Sequence, residues 1–226
     1  MLKDDRMRTV YSAVREGVTV CDVGTDHGLL PIELILNGKA QRCIMTDISA
    51  PSLEKGVKNA KNTGVSDKIS AYCTNGTLGV PFDGDTDIII AGMGGELIAQ
   101  ILEQDARLKD GKFRFILQPM SKADFLRSYL AENGFEMITE QKTEAVGRVY
   151  AVITCVYVGK PCQLSVKDRF LGYGFDKERP LDRKYAERIL ASLGVKLKGL
   201  RSAEVKDAKE IEQLEGFIST LQNSLK

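Results

Sequence analysis

Two carboxylates and the chain's only histidine crowd one stretch, Asp22-Val23-Gly24-Thr25-Asp26-His27-Gly28, at the end of an apolar run. A carboxylate beside an imidazole can move protons near neutral pH or stabilise a developing positive charge. Glycines there let the backbone approach a ligand closely, and N–H groups at a following helix start attract polar or anionic groups. The pattern is G-x-D-x-G, however, and not the G-x-G-x-x-G of dinucleotide sites. A carboxylate at its centre repels a pyrophosphate. A cofactor with a cationic sulfonium and no phosphate tolerates it. Turn chemistry alone also places Gly and Asp at such junctions.

Three further strand ends carry residues of the same kind. Asp47, followed by Ile48, closes the next apolar run 23 residues after Gly24. A carboxylate there can accept both hydroxyls of a ribose; the competing reading, a helix cap, is shared with Ser49. Asn75-Gly76 either presents an amide to an adenine amino group or makes a plain turn. Ala91-Gly92-Met93-Gly94-Gly95 places three glycines within four residues after an isoleucine run, a density that packing explains poorly. Gln118-Pro119 ends a further run. Ligands of open α/β sheets bind beyond the carboxyl ends of the strands, so these stretches belong to one site.

The elements that must position them alternate strand and helix. Strands are expected at 18–24, 42–47, 68–76, 86–95 and 113–119, with helices between them. Ser49 caps the second helix and Pro51 sits in its first turn. Two strands around a Gly147 turn close the pattern without a helix between them. The expected fold is α/β: a doubly wound, Rossmann-like, mostly parallel sheet with an antiparallel final strand, the closing strand pair forming an antiparallel edge. Residues 163–226 read instead as two helices around a Gly194–Gly199 connector, an antiparallel helical hairpin. The chain thus divides into a sheet domain, 1–160, and a helical domain, 161–226.

With 43% hydrophobic and 28% charged residues, the composition is that of a globular protein. No apolar stretch reaches the length of a membrane span, and no secretory h-region opens the chain. Its five cysteines form no C-x-x-C pair, so a cytoplasmic protein without a metal site is expected. The net charge of +1 hides an uneven distribution. Residues 160–200 hold ten Lys/Arg against five Asp/Glu, a basic neck suited to a polyanion.

DVGTDHGLLP, IIIAGMGGELIAQIL and FILQP together resemble the bacterial tRNA (adenine-22-N1)-methyltransferases, over nearly the whole chain. The resemblance implies an S-adenosylmethionine-binding sheet domain and a helical tail that helps hold tRNA. It implies that Asp22, Gly24 and Thr25 contact the methionine part of the cofactor, Asp47 and Ile48 its ribose region, and Asn75 and Gly76 its adenine. Ala91, Gly92 and Met93 complete the cofactor site. Asp26 would face the target base, with Gly94, Gln118 and Pro119 on the substrate side and Met93 able to sandwich the base. Leu29, Asp47, Asn75 and Met120 depart from the residues common in the family; Met120 replaces a polar group that could orient the base.

Adenine N1 gains positive charge on methylation, which a carboxylate near N1 and N6 stabilises, and Asp26 is assigned that role. His27 is either a base or a local hydrogen-bonding partner that opens the helix. Lys167, Arg169, Lys177, Arg179, Arg183, Lys184 and Arg188 of the neck are assigned to RNA phosphates. The chain is expected to act as a monomer or weak homodimer. Competing readings are a methyltransferase of another RNA base or small molecule, a nicotinamide-dependent oxidoreductase, and a non-catalytic RNA-binding protein.

Overall fold

The apolar runs fold as seven strands of a single sheet, in a computed structural model that describes residues 2, 4–82, 84–203 and 207–226. In chain order the elements are α1 (Asp5–Ala13), β1 (Val18–Val23), α2 (Leu29–Leu36), β2 (Ala40–Asp47), α3 (Ala50–Asn62), β3 (Ile69–Cys73) and β4 (Thr86–Gly94). They continue with α4 (Gly95–Gln104), β5 (Phe113–Ser121), α5 (Ala123–Glu132), β6 (Phe135–Ala145), β7 (Arg148–Tyr157), α6 (Val166–Leu171), α7 (Pro180–Ser202) and α8 (Ala208–Asn223).

Side-chain alternation along the strands builds two cores. Cys21, Val23, Ile88, Ile90, Phe115 and Leu117 face one side, under Ile98 and Leu102 of α4 and Leu126 and Leu130 of α5. Val20, Ile89 and Ile116 face the other, under Val10, Leu30 and Leu34 of α1 and α2. Covered on both faces, β4 buries Ile88, Ile89 and Ile90 completely, which is why its sequence shows no polar alternation.

The strand order is β3-β2-β1-β4-β5-β7-β6. β1 to β5 run parallel, and β7 alone runs antiparallel to both its neighbours. As expected, the closing pair forms an antiparallel edge of the sheet, and the final strand, β7, is the antiparallel one, lying between β5 and β6. A hairpin from edge strand β6 can only fold back inward, because α5 delivers β6 one place too far out. Chain direction across the sheet reverses between β1 and β4, which makes their carboxyl ends the topological switch point.

The helices differ from the expectation in three places. α1 has no counterpart in it; only Val10 of its residues is buried, so its sequence carries little apolar periodicity. α6 has none either, being six residues long. Gly194 and Gly199 do not connect two helices: α7 runs through both. A Cβ at either glycine would meet nothing within 4 Å, so both lie on an open face where their cost is only the lost helix propensity. α7 ends at Ser202, with Ala203 as its C-cap. Residues 204–206, read as part of the second tail helix, lie outside the described residues, and α8 begins at Ala208.

The hairpin has its own core of Phe170, Leu171, Phe175, Ala186 and Leu221. It is joined to the sheet by a buried polar node. Arg127 of α5, fully buried, donates to Glu140 of β6 at 2.9 and 2.7 Å and to the Tyr185 hydroxyl of α7 at 3.1 Å. Its remaining N–H donates to the carbonyls of Arg169 and Phe170 in α6. Lys142 pairs with the same Glu140 carboxylate.

Candidate functional site

The loop after β1 is held by its own backbone before any ligand is considered. Gly24 N–H and Thr25 N–H both donate to the Thr46 carbonyl of β2, at 2.8 and 3.0 Å. Those amides are spent on the sheet. α2 starts at Leu29 with Pro31 in its first turn, which removes another donor. The helix start is thus a poor phosphate cradle, a physical reason for the missing dinucleotide fingerprint.

The glycines divide by role. Gly28 is a packing residue: a Cβ there would lie 2.8 Å from Met45 Sδ and 3.1 Å from Gly56 Cα, so it lets α2 approach α3. Gly95 is another, since its Cβ would sit 2.3 Å from the Lys122 carbonyl oxygen. Gly92, with φ +77°, faces open space. It sits at a register shift in the pairing of β4 with β5, between Ala91 opposite Gln118 and Met93 opposite Pro119. Bulges of this kind re-aim backbone beside active sites. Its N–H donates to the Gln118 amide oxygen at 3.1 Å, and the Gln118 amide nitrogen donates to the Pro119 carbonyl at 3.1 Å. Gln118 is fully buried, so its side chain holds the bulge and does not line the cleft.

A cleft of about 770 Å³ opens at the switch point, lined by Asp22, Gly24, Asp26, Leu29, Ala91, Gly92 and Met120 together with Leu2, Asp4, Arg6 and Met7. The N-terminal segment supplies one wall, and Arg6, the only cation lining the cleft among the described residues, comes from it. Arg6 pairs with Asp4 at 2.9 Å, lies over the Tyr150 ring at 5.3 Å, and rests its guanidinium on the Met120 thioether. No motif marked this wall, because one Arg in a polar helix looks like a solvated residue.

The electrostatics are acidic. Asp22, almost wholly buried, has its carboxyl pushed up to about 6 by burial; Thr25 opposes the rise and the Asp47 charge adds to it. Asp47, at the tip of β2, accepts the Ser49 N–H at 2.7 Å, and Ser49 caps α3 as expected. One Asp47 oxygen is thereby anchored in the turn. Beside it, Ile48 is 76% exposed, an apolar surface suited to a planar ring. Asn75 is exposed in the next loop, which Arg107 anchors by donating to the carbonyls of Thr77 and Val80 while pairing with Asp105. Asp105 in turn accepts from the buried Thr77 hydroxyl at 2.7 Å.

Asp26 projects its carboxylate, 82% exposed, into the cleft mouth, and His27 Nε2 lies 3.1 Å from it. His27 does not line the cleft. It adopts φ +63°, and its carbonyl accepts from Asn59 of α3 at 2.9 Å. A non-glycine residue in that region costs about 1–2 kcal/mol, and the Asn59 bond offsets part of it.

Of the expected site residues, Asp22, Gly24 and Asp26 after β1 and Ala91 and Gly92 of β4 line the cleft, whereas Asp47 and Ile48 after β2 and Asn75 and Gly76 after β3 lie outside its lining, at the tips of the next two strands of the sheet. The neck residues do not line it either. Lys167 lies over the Phe175 ring, Arg179 pairs with Asp176 and Asp182, Arg183 donates to the Lys177 carbonyl, and Lys184 pairs with Glu144. Arg169 faces Asp124 at 3.9 Å with its Nε buried. Among the described residues no group of three or more potential metal ligands clusters, and no helix is long and apolar enough to cross a membrane.

Strand order, switch-point cleft and bulged glycine tip define a Rossmann-like methyltransferase domain, and residues 3–153 match the family model described as "Methyltransferase domain". The tRNA (adenine(22)-N(1))-methyltransferase of Bacillus subtilis is 36% identical over 149 residues, 66% of this chain and 62% of that protein. The crystal structure of Streptococcus pneumoniae Sp1610, a proposed tRNA (m1A22) methyltransferase, matches at 30% identity and TM-score 0.86 over 100% of both chains; the same protein was solved with S-adenosyl-L-methionine. The B. subtilis M1A22 tRNA methyltransferase TrmK matches at 26% identity and TM-score 0.87, over 100% of this chain and 99% of that one. The chain belongs to the TrmK family.

Proposed function

We propose that this chain is an S-adenosylmethionine-dependent methyltransferase that modifies N1 of adenine 22 in tRNA. The observation that carries the reading is the acidic cleft at the switch point, whose loop amides are already bonded. Such a site suits a cationic, phosphate-free nucleoside cofactor and disfavours a dinucleotide. The relatives named above support the choice of tRNA and of adenine.

The residues present fit that cofactor. Asp47 would accept its ribose hydroxyls and Ile48 would cover its adenine, with Asn75 and Gly76 at the ring edge. Asp22, Gly24 and Thr25 would hold the methionine end, against Ala91, Gly92 and Met93. When bound, the cofactor supplies an electrophilic methyl group on a cationic sulfur. Asp26 stabilises the charge that adenine gains on N1 methylation and accepts an N6 proton. His27 orients Asp26 through their contact. The target base leaves its stack to reach the cleft, entering past Gly94 and Pro119, while the sheet domain (1–160) does the chemistry and the helical domain (161–226) helps hold tRNA.

Incubation of unmodified tRNA with labelled cofactor, followed by nucleoside mapping, tests the reading: 1-methyladenosine at position 22 is expected. Label in another nucleoside moves the chain to a different RNA base, a reading that Met120 in the cleft wall favours. Tight tRNA binding without any label makes it a binding protein.

A further inference from the structure

A second cavity, of about 660 Å³, lies between the ends of β5 and β7 and the helical hairpin. Five cations line it: Lys122, Arg148, Arg169, Arg188 and Lys196. Two of these are neutralised by lining carboxylates, Arg169 by Asp124 at 3.9 Å and Lys196 by Glu210 at 2.8 Å. Lys122 reaches only Glu96, at 4.0 Å. Arg148, at the start of β7, and Arg188, on α7, are both exposed and have no carboxylate within ion-pair distance among the described residues. Arg188 is instead stacked on the Tyr185 ring at 5.2 Å, which pre-orients its guanidinium.

This groove adjoins the candidate active-site cleft at Met120. Met120 lines both cavities. Arg6, in the cleft wall, rests on Met120 and on Tyr150, and Tyr150 lines the groove. A nucleotide whose base enters the cleft past Met120 therefore leaves its sugar and phosphates at the mouth of a cationic trough. Unneutralised guanidiniums facing that trough are suited to phosphate oxygens, which they bind in bidentate fashion.

We propose that the groove between hairpin and sheet seats the RNA backbone flanking the target nucleotide, with Arg148 and Arg188 as its phosphate ligands. The proposal rests on the RNA methyltransferase reading above. It keeps Arg188 of the expected neck contacts, adds Arg148, and moves the interface away from Arg179, Arg183 and Lys184, whose side chains are engaged with the protein itself. It also explains why the hairpin is fastened to β6 by a buried node: the two walls of the groove belong to different parts of the chain and must keep their spacing.

The test measures unmodified tRNA binding to the full chain over a range of salt concentrations, with cofactor affinity followed by calorimetry. In the Arg148→Ala/Arg188→Ala variant, affinity is expected to fall about tenfold or more, and the slope of log K against log salt to shrink by about 2, one per lost phosphate contact. Cofactor affinity should stay at the wild-type value, which shows that the cleft is intact. Arg183→Ala/Lys184→Ala should bind tRNA like wild type. Wild-type affinity and slope in the Arg148/Arg188 variant overturn the groove assignment alone, as does loss of binding confined to the Arg183/Lys184 variant. A wild-type chain that neither binds nor methylates tRNA overturns the substrate reading and the groove assignment together.

Discussion

Asp22 is a carboxyl buried in the cleft floor beside a second carboxylate, and the fold gains nothing from its charge. Burial lifts it from 3.8 to about 6. Between those values the folded chain holds a proton that the unfolded chain has released, so stability falls as pH rises through that window and stays lowered at neutral pH. The size of the shift corresponds to about 3 kcal/mol. Asp22→Asn should therefore raise the melting temperature of the cofactor-free protein at pH 7.5 and flatten its dependence between pH 4 and 6. Cofactor affinity should drop in the same variant. A variant that melts lower at pH 7.5 would show that the charge is compensated. Asp26, by contrast, is exposed and its removal should leave the fold alone: Asp26→Ala is expected to lose about 10²–10⁴ in turnover with cofactor binding retained, and turnover near wild type removes it from the chemistry. That Asp22, Asp26 and Gly92 lie at strand ends facing one cleft was legible in the sequence, because each sits in a short local pattern after an apolar run. The roles of Gly28, Gly95 and Gln118 were not, because each is defined by a partner far along the chain: Gly56, the Lys122 carbonyl and the Gly92 N–H.

At the scale of elements, the β6–β7 turn shows how a correctly read feature can still hold a surprise. The turn falls at Gly147 as expected, but its first residue is Val146, at φ +48° and fully exposed, followed by Gly147 at φ +71°. Two left-handed residues make the type I′ geometry that matches strand twist, and Asn is favoured where Val146 stands. A β-branched residue there bears strain of about 1–2 kcal/mol. Val146→Asn should stabilise the protein by about 1 kcal/mol, raising the melting temperature by about 2–4 °C. Unchanged or lower melting would mean that the valine makes a compensating contact. The helices follow the same logic of local signal against tertiary context. Gly194 and Gly199 look like punctuation, yet a 23-residue helix anchored by Tyr185 and Ala186 tolerates both on its open face. In α1, Asp5 and Arg8 pair across one turn on the solvent side while Val10 alone is buried, so its polar sequence concealed an element that walls the cleft.

For the molecule as a whole, the question is what makes the hairpin and the sheet one structure. The hydrophobic cores do not: Phe170, Leu171, Phe175 and Leu221 form a cluster separate from those of the sheet. The joint is the Arg127–Glu140–Lys142 node, to which the Tyr173 N–H adds a bond to the Glu140 carboxylate at 3.2 Å. None of this was visible in the sequence, where Arg127 is one charged residue of an amphipathic helix and its partner lies 13 positions away. Charges this deep are weak net stabilisers, but removing one partner is costly, by about 3–5 kcal/mol, because the others are left buried and uncompensated. Glu140 is the partner that matters most, since it alone answers two cations. Burial by itself would raise its carboxyl, but Arg127 and Lys142 pull it below its ordinary 4.5. A depressed carboxyl gives stability that is present above the unfolded value and lost as pH falls below it. Acidification from pH 5 to pH 3 should therefore loosen this joint, while salt, which screens exposed pairs, should affect it little. Glu140→Gln should lower the melting temperature at pH 7 more than Arg127→Met does, because the Arg127 variant still leaves Lys142 to balance Glu140. It should also abolish most of the acid dependence at this joint. Equal melting of the two variants, or a Glu140→Gln protein with wild-type acid sensitivity, would show that the hairpin is held by its apolar contacts instead.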